Sequence, residues 1–203
     1  MKKQFHDSGS ATGMAGPERM PMIADSSMTP RQREAAEALI AGPRGAVFGP
    51  FVPLLRSPEL MDRMQRVGEI LRFGTVLEAG WSEFVMLIVS RQWTQQFEWC
   101  MHYPLAIKAG VAQTVLDQLA QGARPDGMTA AQATLYDFCD ELARTRGVSD
   151  GTYARALALC GEQGVVELTA LIGYFSTVSM IMNVARTPPM ANRTAATLAA
   201  FPL

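Results

Sequence analysis

Reactive side chains are scarce in this chain of 203 residues, which holds two histidines, three cysteines and three tryptophans. The cysteines, Cys100, Cys139 and Cys160, are odd in number and far apart. That spacing excludes a disulfide framework and the paired ligands of a structural zinc site, so no metal is expected. Each cysteine sits among apolar residues, where a free thiol behaves as a small hydrophobe, and a reduced, cytoplasmic setting is the natural reading. No glycine-rich phosphate loop and no serine nucleophile elbow can be found, so no nucleotide or other cofactor is expected. Charge of one sign is also lacking. Eighteen basic against nineteen acidic residues leave a net charge of -1, which excludes long-range attraction to nucleic acid or an anionic membrane surface.

What the chain does contain is helical pattern. Hydrophobic residues make up 48% of it, ample for one buried core, and they recur at helical rather than alternating spacing. An all-α fold follows, compact and with two similar helical halves. Residues 1–27 are rich in Gly, Ser, Pro and Met and read as a flexible extension containing His6, with Met20 an alternative start; residues 28–203 read as one helical domain. Thr29-Pro30 caps a first helix to Ala41. Residues 46–55, interrupted by Pro50 and Pro53, read as an extended or turning apolar loop, which either seals the core or walls a pocket with Arg44 at its rim. A helix from Ser57 to Gly74 presents Leu60, Met64, Val67 and Leu71 as its inner face.

Ser82 is expected to cap the next helix, which opens on Glu83 and is apolar throughout residues 84–89. Glu83 then either favours the helix N-terminus or is a partly desolvated carboxylate poised for proton transfer. Gln95, Glu98 and His102 follow at helical spacing on one stripe, while Cys100 points roughly 200° away from His102. Pro104 either kinks this helix or begins a new one. Three more helices follow: one from Val111 ended by Gly122, one capped by Thr129 with Leu135, Cys139 and Leu142 inside, and one capped by Ser149 and running through Leu159. Gly164 precedes a last helix to Ala185. Its uncharged run is long enough to raise a membrane-span question, answered in the negative by scattered Ser, Thr and Asn and by a mean hydropathy of only +0.06. Such a helix belongs to the core or to a contact between subunits, which fits a homo-oligomer. A faint echo links Glu83-x-x-x-Leu87-Ile88 to Glu167-x-x-x-Leu171-Ile172.

Glu83, the apolar run after it, Glu98-Trp99, His102, Ala106 and Ala109-Gly110 together resemble the carboxymuconolactone decarboxylase family, which includes alkylhydroperoxidase D. The resemblance implies the compact helical module of that family and homo-oligomeric assembly. With His102 on the family histidine, Glu83 falls on its upstream glutamate. The two positions of the redox branch's Cys-x-x-Cys fall on Gln95 and Glu98. The Glu–His pair is therefore kept and the dithiol is not.

Three functions compete. The first is a cofactor-free enzyme acting on a small carboxylated or lactone-type compound, as in aromatic catabolism. His102 would deliver a proton to carbon, Glu98 and Glu83 would assist it, and Gln95, Arg44, Arg72 or Arg91 would hold the substrate. The second is a thiol peroxidase using Cys100, which lacks a cysteine partner nearby. The third is a non-catalytic helical protein in which Glu98–His102 is an ordinary i,i+4 pair worth about 0.3 kcal/mol.

Overall fold

The computed structural model describes residues 16–190, 195, 197 and 198. Among them are eight α-helices and no strand: α1 Pro30–Ala41, α2 Phe51–Leu54, α3 Pro58–Glu69, α4 Ala79–Gln92, α5 Gln96–Lys108, α6 Gln113–Ala120, α7 Ala130–Thr145 and α8 Asp150–Ala185. Hydroxyl caps begin three of these helices where the sequence places them. Thr29 accepts from the Gln32 N–H while the Gln32 side chain accepts from the Thr29 N–H, and Thr129 and Gln132 form the same closed box on α7. Ser149 accepts from the Thr152 N–H at the head of α8.

Everything is built around α4. Every residue from Phe84 to Arg91 is buried, because α5, α7 and α8 surround the helix. This helix begins earlier than expected. Glu78 is its N-cap residue, Ser82 is buried inside the first turn rather than capping it, and Glu83 stands beyond that turn. Dipole stabilisation fades over the first turn, so the helix terminus no longer accounts for Glu83. α4 reverses into α5 through Thr94, whose φ of +47° is rare for a β-branched residue. The turn is fixed by the Gln95 N–H donating to Ser90 O at 2.8 Å. The α4–α5 hairpin so formed brings Glu83 opposite His102.

A smaller core joins Ala35, Leu39, Phe51, Leu54, Leu55 and Met61 of the first three helices. Residues 46–55 are therefore not wholly a loop: Phe51–Leu54 forms one helical turn, with Pro50 as its N-cap. The inner face of α3 is also rotated from the expected stripe. Met61 and Gly68 are buried, whereas Leu60 and Val67 are each 48% exposed. Beyond α3 the chain widens into a π-helix over Ile70–Gly74, which buries Leu71 and carries Arg72.

Helix α5 continues through Pro104 to Lys108. The two helices expected between Ser149 and Ala185 meet at Gly161, where φ +70° and ψ 177° break the helical path of α8. Gly164 remains helical and packs against Cys160. By length and composition α8 is apolar enough to cross a membrane, but in this fold it lies against α3, α4 and α7. Residues 16–27 touch the domain at several points: the Arg19 N–H donates to Ala185 O at 2.8 Å and Arg56 Nη2 to Pro21 O at 2.6 Å. His6 lies outside the described residues.

Candidate active site

An imidazole held between two carboxylates forms the floor of a narrow cleft. His102 Nδ1 lies 2.7 Å from Glu83 Oε2, and Nε2 lies 3.2 Å from Glu98 Oε2. The Phe175 ring packs edge-on against it with centroids 5.2 Å apart. The histidine is only 1% exposed. Burial is the largest influence on this ring and opposes its protonation, yet the contacts with Glu83 and Glu98 together outweigh it and raise the pKa. Geometry points the same way. A neutral imidazole has one N–H and can donate to one carboxylate, whereas the protonated ring donates to both.

The cleft above the ring is small, with a volume of about 20 Å³, and it opens to solvent. Glu98, His102, Arg44, Arg72 and Tyr174 contribute its polar groups. Phe48, Phe97, Phe175 and Val178 supply apolar walls. Glu83 sits behind the ring rather than in the cleft. The wall at residues 48–51 depends on Gly49, whose φ is +55° and where an added Cβ would lie 2.6 Å from the Phe97 ring. Arg44 lies over the Phe51 ring, 4.7 Å from its centroid, and Arg72 over Phe73 at 5.1 Å. Burial lowers the Arg44 pKa, and burial raises that of Tyr174. At neutral pH the first remains a cation and the second a neutral O–H donor.

Of the side chains singled out from sequence, the fold assembles Glu83, Glu98, His102, Arg44 and Arg72. It places three elsewhere. Gln95 is the N-cap of α5, accepting from the Phe97 N–H and donating to Asn183 Oδ1 at 2.8 Å. Its stripe neighbour Glu98 lies inside the helix, but a cap residue has left the helical path, so the spacing no longer aims it at His102. Arg91 packs beside Gly122, donates to Thr94 Oγ1 and does not line the cleft. Cys100 is buried beside Gln96 Nε2 at 3.2 Å and does not line the cleft. Tyr174 and Phe175 were not legible as site residues. The available signal was a tyrosine with a polar tip in the uncharged run of residues 168–185. Among the described residues no group of three or more His, Cys, Asp or Glu side chains could hold a metal ion.

The class of fold these helices define is that of the alkylhydroperoxidase D core. A solved structure with this arrangement, the alkylhydroperoxidase AhpD core of an uncharacterized peroxidase-related protein from Ralstonia eutropha, superposes with a TM-score of 0.68. It is 16% identical and the match covers 87% of this chain and 95% of that one. At that identity the likeness establishes the fold. No protein-family model and no curated protein matches the chain.

Proposed function

We propose that the protein is a cofactor-free acid–base enzyme acting on a small carboxylated or lactone-type compound. One observation carries this reading: a buried imidazole engaged at both nitrogens by carboxylates, at the floor of a cleft whose other polar groups are cationic or neutral donors. Glu83 anchors Nδ1 and fixes the ring. Nε2, shared with Glu98, is the position from which a proton reaches a substrate carbon. In a decarboxylation the carbon–carbon bond breaks, carbon dioxide leaves, and the electron pair rests in an enol-type intermediate until that carbon is protonated. In an isomerisation the proton is removed from one carbon and returned to another. Arg44 and Arg72 offset the substrate's negative charge.

A thiol peroxidase is the second reading, favoured by the peroxidase-related description of the structurally similar protein. Its chemistry needs a thiolate with a resolving partner. Here Cys100, Cys139 and Cys160 are free, and burial raises the pKa of both Cys139 and Cys160. We also propose a homo-oligomer, supported by Val166 and Val184 standing more than half exposed on the largely uncharged α8; light scattering in solution checks it.

The deciding experiment screens small unsaturated, keto and lactone carboxylates in heavy water, following carbon-bound deuterium and substrate loss by NMR. Exchange that disappears in His102→Gln and survives replacement of all three cysteines by serine is the expected result. Peroxide reduction lost on replacing the cysteines, with no exchange in any compound, overturns the reading in favour of the second.

A further inference from the structure

Two residues that line the cleft each carry a polar atom buried without a hydrogen-bond partner among the described residues: Arg44 Nη2 and Tyr174 Oη. Such groups are rare in folded proteins, and a pair of them in one cleft has the character of a site awaiting its ligand. Both abut Gly68, in the interior of α3. A Cβ there would collide with the Tyr174 hydroxyl and lie 2.7 Å from Arg44 Nη2. Glycine inside a helix costs about 0.5–1 kcal/mol relative to alanine, so its presence needs a reason. Keeping room for these two tips is one.

We propose that Arg44 Nη2 and Tyr174 Oη, converging over Gly68, form a seat for one carboxylate of a small, flat, monoanionic ligand, and that this carboxylate is a spectator to the chemistry. The first half stands on the cleft alone; the second rests on the acid–base reading given above. Both atoms donate, and a guanidinium with a phenol O–H matches the acceptor-only oxygens of a carboxylate. Glu98, which also lines the cleft, repels an anion and so favours seating of the ligand's charged end on Arg44. The walls from Phe48, Phe97 and Phe175 suit a planar apolar body.

The spectator role follows from energetics. Loss of carbon dioxide is eased when the departing carboxylate is stripped of stabilising donors, and an arginine–tyrosine pair does the opposite. The reacting carbon therefore lies further along the ligand, toward His102 and Glu98. For a monocarboxylate this favours a proton shift: Glu98 accepts a proton from one carbon, the double bond moves, and His102 supplies a proton to another. Transfer from Glu98 to Nε2, 3.2 Å away, restores the starting state, and no atom is gained or lost overall.

Calorimetric titration of the full chain with benzoate and with benzamide, a neutral analogue of the same shape, tests the seat. Benzoate is expected to bind at least tenfold more tightly. Tyr174→Phe, which keeps the ring, should weaken benzoate about tenfold and leave benzamide unchanged, and Arg44→Gln should weaken it about a hundredfold. His102→Gln should still bind benzoate, so loss of exchange with retained binding separates failure of the proton chemistry from failure of the seat. Equal binding of benzoate and benzamide, or a Tyr174→Phe protein that binds benzoate like the parent, overturns the proposal. With any acid that turns over, Tyr174→Phe should raise KM and spare kcat; an equal fall in kcat with release of carbon dioxide overturns the spectator role.

Discussion

Glu83 and Glu167 begin the same short pattern, Glu-x-x-x-Leu-Ile, on two helices that pack against each other, and their fates diverge completely. The apolar half of the pattern behaves alike in both. Leu87, Ile88, Leu171 and Ile172 are all buried. Two of the three intervening positions do not, since Val85 and Met86 are buried whereas Thr169 and Ala170 are exposed. α4 is enclosed on all sides and α8 keeps an open one. Glu83 accordingly meets a buried imidazole, while Glu167 accepts from Thr75 Oγ1 at 2.6 Å and the Val76 N–H at 2.8 Å, beside solvent. The apolar pair of the pattern goes inward on both helices. The chemistry of its glutamate is decided by what the neighbouring helix sets opposite.

The largest expected break between the two positions is in turnover. On the proposed chemistry, Glu83→Gln removes the charge that supports the His102 proton, and should slow carbon-bound deuterium exchange by about a thousandfold, within the usual range for general acid–base groups. Glu167→Gln should leave exchange within about twofold. NMR titration of His102 supplies the physical check, because its raised pKa should fall in Glu83→Gln and stay put in Glu167→Gln. Equal kinetic losses from the two changes would show that Glu83, like Glu167, serves only structure.

Much of this comparison was readable in the chain before any coordinates. The caps at Thr29, Thr129 and Ser149 are local hydrogen bonds and depend on residue type within three positions, so they were found. Glu98 and His102 share one helix, and i,i+4 geometry places them together. Glu83 with His102 needed the α4–α5 reversal, which the resemblance provided and the spacing by itself did not. The failures are long-range. Gln95 looks like a stripe residue until the turn at Thr94 makes it a cap. Arg91 resembles Arg44 and Arg72 in sequence, but its helical direction takes it to Gly122. The inner face of α3 slipped by one residue because Leu60 and Val67 are apolar yet exposed, and Gly68, with no side chain, gave no hydrophobic signal. Tyr174 becomes a site residue through the packing of α8 over Arg44, which no periodicity records.

A second, smaller difference is expected in stability. His102→Ala leaves Glu83 and Glu98 without the group that joins them in a mostly buried place, and should cost about 3 kcal/mol in urea unfolding at neutral pH. Restoring neutrality with Glu83→Gln and Glu98→Gln in the same chain should recover part of that loss, since the penalty comes from the stranded charges. If the triple change is no more stable than His102→Ala alone, the loss is one of packing against Phe175 and the charges are bystanders.

The smallest effect is the most discriminating in sign. Glu167 is held below the ordinary carboxylate range, chiefly by its hydrogen bond from Thr75, and its exposure to solvent keeps the contribution under about 1 kcal/mol. A group with a depressed folded-state pKa contributes fully above the unfolded value and loses that contribution as the pH falls through the folded one. His102 is the reverse case. Its raised pKa means a contribution complete below the unfolded value near 6.5 and lost as the pH rises through the folded one. Unfolding midpoints measured across the pH range should therefore show Glu167→Gln flattening the acid limb, and His102→Gln flattening the alkaline limb. A parent protein whose alkaline limb is unchanged by His102→Gln would mean that the ring is neutral in the fold, with one carboxylate contact and not two; the proton would then have to come from Glu98.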